Sequence, residues 1–198
     1  MSTYLRDASG AAALEVALWL GVLVVPVLSA VDLGYYAYQS MEVHEAAQAA
    51  AQAAENTCGP LGYIPAVENC TTPTLNNTLT TTLSNAVKTT SLGSNVTLNT
   101  ASTATWEGYY CSNTTPSSAS NGLTVVTSSG KNDTWGLSAT TFPTPPTDCS
   151  GIVTGNTNPP GDYLVVAVSY SFKPIFGSVS VANLLNKTIT ATSWIRLG

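Results

Sequence analysis

Charged side chains are scarce in this chain of 198 residues, making up 9% of the sequence, against roughly 25% in ordinary soluble domains. Only six residues are Lys or Arg, and they are scattered along the sequence. Because a nucleic-acid-binding surface needs clustered basic residues, we expect no nucleic-acid partner. Beyond about residue 56, Thr, Ser, Asn and Gly replace charge, which predicts the polar but uncharged surface common in exported proteins.

The motifs of common catalytic sites are absent as well. The sequence contains no P-loop, no GxGxxG and no HExxH, and His44 is its single histidine. His44 lies on the polar side of a predicted helix, where a solvated side chain is the simplest interpretation. Acidic residues are few and dispersed, which disfavours a paired-carboxylate site. We therefore expect no enzyme activity, no cofactor and no bound metal.

Four cysteines, an even number, fit disulfide bonds formed in an oxidising compartment. They allow three pairings. We favour Cys58–Cys70 with Cys111–Cys149, because neighbours in sequence close the smaller loops. Metal binding is the alternative, but no CxxC pair or histidine cluster supports it.

One long apolar run, Ala11 to Val31, dominates the N-terminal region. As a helix it would be about 31 Å long, enough to cross the hydrocarbon core of a bilayer. A retained membrane helix is the favoured interpretation. A secretory signal cleaved after Ala30 and a buried core helix are the alternatives. Pro26 predicts a kink, and Gly21 and Gly34 add flexibility.

The apolar run contains one charge, on Glu15, and follows a short polar leader, residues 1–10. Arg6 is the only basic residue of that leader and weakly favours a cytoplasmic N-terminus. A charge at the centre of a spanning helix costs about 2.5–3.5 kcal/mol, and less near an end, so an acid kept there indicates a function. The alternative is that Glu15 only extends towards the lipid headgroups.

The helical pattern continues through residues 31–56 and predicts one long rod ending near Asn56, before Gly59-Pro60. Its apolar face of small residues predicts packing on the chain's own domain, with packing between molecules as an additional role. The polar face comprises His44, Glu45, Gln48, Gln52 and Glu55, and the opposite face comprises Tyr36, Val43, Ala46, Ala47, Ala50 and Ala54.

The remainder predicts a mixed domain in which helical segments precede strands. Residues 57–73 are expected to form a loop. Leu75, Leu79, Leu83 and Val87 then recur every four residues, which predicts a second helix from about Thr74 to Thr90.

From Asn95 onward the composition favours β-structure, with a long loop from Thr140 to Gly161. The last two predicted strands alternate apolar and polar residues, and we expect them to be antiparallel neighbours linked by residues 173–187. In the first of them, Leu164, Val166, Val168, Tyr170 and Phe172 are predicted to share one face. The predicted strand segments are Asn95–Trp106, Leu123–Thr127, Tyr163–Phe172 and Ile189–Leu197.

The N-terminal pattern resembles the class III prepilin signature: Gly10, a small residue next, Glu15 five positions along, and an apolar helix. With Pro26 and the D-x-G-aromatic step of Asp32 and Gly34, it resembles the TadE-like pilus-assembly proteins of tight-adherence systems. The resemblance is strong over residues 10–56, modest over 163–197 and absent between. The C-terminal part of it rests on Val166, Val168, Tyr170, Pro174, Trp194 and Arg196.

The resemblance implies roles for particular residues. A prepilin peptidase would cut between Gly10 and Ala11, and Glu15 would pair with the new amino terminus of a neighbouring subunit. Pro26, Asp32 and Gly34 would belong to the same assembly region. The implied partners are other pilin-like subunits, contacted through the N-terminal helix, the peptidase, the inner-membrane assembly platform and the lipid bilayer.

Together these observations predict an α+β, pilin-like fold, in which a long membrane-spanning helix packs against an antiparallel sheet with one additional helix. The expected divisions are a leader at 1–10, a helix at 11–56 and an extracytoplasmic head at 57–198. The expected function is a minor pilin, anchored in the cytoplasmic membrane, for a type IV-like tight-adherence pilus. The alternatives are a surface or pilus-tip adhesin with a ligand-binding head, and an exported membrane-tethered enzyme.

Overall fold

The computed structural model describes residues 8–60, 62, 64–70, 79–113, 122–128, 131–177, 180–185 and 187–198. It confirms an α+β fold with a long N-terminal helix and an antiparallel sheet. The helices are α1 (Ala8–Cys58), α2 (Ala66–Asn69) and α3 (Leu79–Val87), with 3₁₀ turns at Gly93–Asn95 and Val181–Leu184; the strands are β1 (Val96–Leu98), β2 (Trp106–Ser112), β3 (Leu123–Val125), β4 (Thr127–Ser128), β5 (Lys131–Asn132), β6 (Thr134–Gly136), β7 (Gly161–Ser171) and β8 (Thr188–Arg196).

Contacts divide the chain into two compact units. The first unit comprises α1 up to Ser40 together with Phe172–Thr188. The second comprises Met41–Ser171 and Ile189–Gly198. The predicted boundaries of leader, helix and head stay a prediction.

Helix α1 is 51 residues long, which corresponds to about 75 Å, and it continues through Pro26. It ends where the sequence predicts, because Gly59 follows with its N–H donated to the Glu55 carbonyl at 2.9 Å. A Cβ at position 59 would lie 2.8 Å from that same carbonyl oxygen, so only glycine fits there. The kink expected at Pro26 stays a prediction.

The outer part of α1, within the second unit, has the two faces that the sequence predicts. Its five polar residues are exposed, whereas Val43, Ala46, Ala47 and Ala50 are completely buried. Because the alanine side chain is small, this face lets the backbone of the helix approach its neighbours closely. Glu42, at the edge of the face, accepts a hydrogen bond from the Ser91 hydroxyl at 2.5 Å.

Strand β7 is the central strand of the sheet. The predicted pairing with β8 is confirmed, since Asp162 pairs with Leu197 and Gly198 at one end and Phe172 pairs with Lys187 at the other. The predicted alternation of β8 is also present, with Ile189, Ala191 and Leu197 buried. Residues 164–168 of β7 are all buried, on whichever face they lie, because both faces of this strand are covered.

Strands β1 and β2 lie along the same edge of β7, one after the other. Strand β1 pairs with residues 168–170 and β2 with residues 161–165, and residues 99–105 leave the sheet between them. Thr105, which is completely buried, bridges the gap. Its hydroxyl accepts the Ala167 N–H at 3.0 Å and donates to the Asn99 carbonyl at 2.5 Å. The predicted strand Asn95–Trp106 is therefore wrong in extent, because a side-chain hydroxyl replaces the backbone ladder there.

The other edge of β2 repeats this arrangement. Strand β3 pairs with Tyr110–Ser112 and β6 with Trp106–Gly108, while the β4–β5 hairpin leaves the sheet between them. The Val126 N–H donates to the Tyr109 carbonyl at 2.9 Å where the chain departs. The predicted strand Leu123–Thr127 is thus split in two at Val126.

Both disulfides have the pairing that the sequence favours. Cys58 joins Cys70 with 5.5 Å between the Cα atoms, and Cys111 joins Cys149 with 5.7 Å. The predicted loop at 57–73 also contains the single helical turn α2, which was not expected. Its first N–H groups are held by a buried carboxylate of β2, so the turn depends on a tertiary contact that local sequence does not reveal.

Helix α3 confirms the predicted second amphipathic helix, and Leu79, Leu83 and Val87 are buried as the four-residue spacing requires. The first residues of the predicted range, 74–78, lie outside the described residues. A separate apolar cluster surrounds the second disulfide; it consists of Tyr109, Cys111, Val126, Trp135, Cys149 and Val153.

Candidate functional site

The first half of α1 carries a continuous exposed apolar surface. Every side chain from Ala13 to Val27 is exposed, including Leu18 at 66% and Trp19 at 61%. Soluble monomers rarely expose contiguous apolar surface of this extent. Among the described residues, α1 is the one helix long and apolar enough to cross a membrane.

Glu15 lies on this apolar surface. Its exposed side chain stands between Leu14 and Val16, and it is four residues, about 6 Å along the axis, beyond Ala11. Gly10 and Ala11 are themselves part of α1. The structure therefore places the predicted cleavage residues and the predicted assembly carboxylate within two turns of one helix.

Asp32 has a contact within the chain that the sequence did not predict. It is completely buried, and its carboxylate accepts the N–H of Ile175 at 2.8 Å and that of Phe176 at 3.4 Å. Ser29, one turn earlier, accepts the Val181 N–H at 3.2 Å and donates to the Val25 carbonyl at 2.7 Å. The polar pair Ser29 and Asp32 therefore anchors the segment that follows β7 to α1.

The aromatic part of the motif anchors the same segment. Phe172 is 2% exposed and lies against Tyr36 in an edge-on contact, with 5.0 Å between ring centroids. Tyr35 contacts the same ring at 6.2 Å. Gly34 has no such contact, because a Cβ there would meet nothing within 4 Å. The D-x-G-aromatic step thus consists of an anchoring carboxylate, an exposed glycine and aromatic packing residues.

Sequence reasoning missed Ser29, Phe172 and Glu107 as important residues. A signal for Ser29 was present, because two polar residues three positions apart in an apolar helix share one face.

Glu107 and Asp162 form a buried pair of carboxyl groups beneath the sheet. Glu107 accepts the N–H groups of Ala66 at 2.5 Å and Val67 at 2.7 Å. Burial raises the pKa of Glu107, and burial together with the Glu107 charge raises the pKa of Asp162 to about 9. Since the two N–H groups favour the ionised form of Glu107, Asp162 is the member of the pair that keeps its proton.

This pair holds α2 on the sheet, since Glu107 accepts the first N–H groups of that helical turn. The carboxyl oxygens of Asp162 are buried, and Asp162 also lines a pocket of about 480 Å³ together with Glu68 and Tyr109. His44 is exposed on α1 and is distant in sequence from Glu107 and Asp162. Within the described part of the chain, no group of three or more His, Cys, Asp or Glu residues could hold a metal ion.

One exposed helix that is long and apolar enough to span a membrane, in the same chain as a disulfide-bonded α+β domain, is typical of proteins that a single helix anchors in a membrane. The family model described as TadE-like protein matches residues 10–52, which cover the apolar surface, Glu15, Ser29 and the Asp32 anchor. The N-terminal region of the chain is therefore similar to TadE-like proteins, as the sequence pattern suggested. No curated protein and no solved structure matches the chain.

Proposed function

We propose that this protein is a minor pilin of a tight-adherence pilus, with a structural and not an enzymatic role. The observation that carries the proposal is the exposed apolar surface of α1 between Ala13 and Val27, interrupted by Glu15. Such a surface has two environments in which it is stable: the bilayer, and a bundle of identical or related helices. A pilin occupies the first before assembly and the second afterwards.

Glu15 is proposed to direct the transfer between these environments. Cleavage after Gly10 would leave Ala11 with a free amino group, one helical turn before Glu15. Either charge alone is unfavourable in an apolar bundle, so pairing between the carboxylate of one subunit and the amino group of the next favours one register over others. The partners are a prepilin peptidase, other pilin-like subunits and the assembly platform of the inner membrane.

Two glycines on α1 support close contact between helices. A Cβ at Gly21 or at Gly34 would meet nothing within 4 Å inside the chain, so packing within the molecule does not require glycine at either position. Small residues let neighbouring helices approach closely in membranes and bundles. We propose that Gly21 and Gly34 serve contacts between subunits and that Pro26 allows the helix to bend during extraction.

The decisive experiment compares Glu15→Gln with Glu45→Gln in cells that assemble the pilus. Both changes remove one carboxylate of the same helix, but Glu45 is exposed beyond the apolar surface. We expect Glu15→Gln to reach the membrane in normal amount and to lower the recovery of surface pili, or of this subunit within them, at least about tenfold, the effect of about 1.4 kcal/mol. Glu45→Gln should assemble normally.

Mass spectrometry of the mature N-terminus provides the second measurement. A start at Ala11 supports the pilin function, whereas a start at Val31 would indicate a removed secretory signal and would refute it. Normal piliation with Glu15→Gln would refute the pairing role even if the chain starts at Ala11.

A further inference from the structure

We propose that the outer face of the sheet binds an uncharged oligosaccharide in a groove over β2, β3, β5 and β6. The groove has a volume of about 600 Å³, within the range of about 300–1,000 Å³ usual for small-molecule sites. This binding activity goes beyond the structural role proposed above and does not depend on it.

A missing side chain shapes the floor of the groove. Trp106, Gly108 and Tyr110 alternate along β2 and therefore point to the same face of the sheet. A Cβ at Gly108 would lie 2.7 Å from the Thr134 methyl carbon and 2.9 Å from the Asp133 carbonyl, so glycine is required there. The absence of a side chain at position 108 thus lets Thr134 pack directly on β2 between the two aromatic side chains.

The aromatic side chains on either side of Gly108 are held in fixed orientations. The Trp106 indole N–H donates to the Tyr110 hydroxyl at 3.1 Å. Trp194 stands edge-on to both, with centroid distances of 6.0 Å to Trp106 and 5.4 Å to Tyr110. Tyr163 contacts Tyr110 at 5.7 Å. Rigid rings lose little conformational entropy when a ligand packs on them, which favours binding.

The rim of the groove supplies hydrogen-bonding groups without charge. Asn113, Thr124, Asn132 and Thr134 line it, and among the described residues that line the groove only Tyr110, through its phenol, is ionisable. Burial raises the pKa of Tyr110, so this group is neutral as well at physiological pH. Anionic and cationic ligands would lose hydration here without gaining a counter-charge.

A neutral sugar matches this combination of surfaces. Each pyranose ring has a C–H face that packs on an aromatic ring and an edge of hydroxyl groups that both donate and accept hydrogen bonds. The groove offers aromatic rings on its floor and side-chain amides and hydroxyls on its rim. A purely apolar ligand would displace water from the polar rim without replacing the hydrogen bonds of that water, which is unfavourable.

The test uses the full-length chain in nanodiscs, since many detergents carry sugar head groups. The probes are four neutral trisaccharides, cellotriose, maltotriose, triacetylchitotriose and mannotriose, with anionic sialyllactose and a neutral tetrapeptide as comparisons. Binding is followed by tryptophan fluorescence and by saturation-transfer NMR. We expect saturable binding of at least one neutral trisaccharide, with Kd on the order of 1 mM or tighter.

Two substitutions locate the site, each with a matched control. Trp106→Leu and Asn132→Ala should each weaken binding about tenfold or more. Tyr38→Leu removes an exposed ring from α1, and Asn85→Ala removes an exposed amide from α3, and neither should change the affinity. Because Asn132 is exposed on the β4–β5 hairpin, its variant remains informative if Trp106→Leu does not fold.

Three results would overturn the proposal. The first is the absence of saturable binding of any neutral trisaccharide at concentrations on the order of 10 mM. The second is binding that Asn132→Ala and a folded Trp106→Leu leave unchanged. The third is binding restricted to sialyllactose or to the peptide.

Discussion

Replacing Asp162 with Asn should remove a pH dependence from the stability of the head. The raised pKa of Asp162, about 9, means that the folded chain keeps a proton that an unfolded aspartic acid loses near its ordinary value of 3.8. Between these two values the folded state binds more protons than the unfolded state, so the free energy of unfolding falls as pH rises. The contribution of this group is fully present below about pH 4 and is lost as pH rises towards about 9.

The magnitude follows from the linkage relation. One proton bound only by the folded state changes the free energy of unfolding by about 1.4 kcal/mol per pH unit. Between about pH 5 and about pH 8, wild-type stability should therefore fall by up to about 4 kcal/mol from this pair. In Asp162→Asn the side-chain amide does not titrate, so this part of the slope should disappear.

Urea unfolding of the full-length chain, followed by near-ultraviolet circular dichroism at several pH values, measures the slope. Asp148→Asn is the matched control, since Asp148 is exposed to solvent and its hydrogen bonds from Ser150 lower its pKa, which places its titration below this range. Glu107→Gln leaves one of two buried N–H groups without a full acceptor and should cost about 1–3 kcal/mol. Equal slopes for wild type and Asp162→Asn would show that Asp162 does not keep its proton.

Two further predictions concern the anchoring contacts and the disulfides. Asp32→Ala removes the acceptor of the Ile175 and Phe176 N–H groups, at about 1 kcal/mol for each hydrogen bond lost, so hydrogen exchange should accelerate at these two amides. Asp32→Asn should keep the Ile175 amide protected, and unchanged exchange in the alanine variant would contradict the anchor. Replacing both cysteines of a disulfide with serine should destabilise the head by about 4 kcal/mol for Cys111–Cys149, which are 38 residues apart, and by about 3 kcal/mol for Cys58–Cys70, which are 12 apart. The longer closed loop gives the larger effect. Urea midpoints in the reverse order would contradict this ranking.

The sequence predicts helices and edge strands of this protein well, because their burial is periodic. Alanines and glutamines alternate around α1 at the helical period, and Leu79, Leu83 and Val87 do the same in α3. Strand β8 is covered on one face, so its buried residues recur at every second position. Each pattern arises because only one face of the helix or strand is covered by the rest of the protein.

Strand β2 was missed because it has a role on both of its faces. Its sequence, WEGYYCS, alternates an aromatic residue, a carboxylate and a glycine without an apolar period. Glu107 faces the buried side, where α2 pairs with it, and Gly108 faces the aromatic side, where Thr134 leaves no room for a Cβ. Neither requirement is visible before the distant partner is in place.

The N-terminal motif was predicted as a group of residues, but their contacts were not. Asp32 is one of several motif residues in the sequence, whereas in the structure it holds the backbone of Ile175, more than a hundred residues away. Such a contact depends on the return of the chain after β7. The roles of Gly10, Ala11 and Glu15 depend on other molecules and stay predictions.

The two departures from the sheet, at residues 99–105 and 126–133, affect how this protein can change over evolutionary time. In each case the chain leaves the edge of one strand, β7 or β2, and pairs again farther along the same edge. Neither departure therefore shifts the register of a strand pair. Lengthening such a segment adds little loop entropy. The β4–β5 hairpin can therefore be rebuilt to present a new surface while the core beneath it keeps its sequence and its stability.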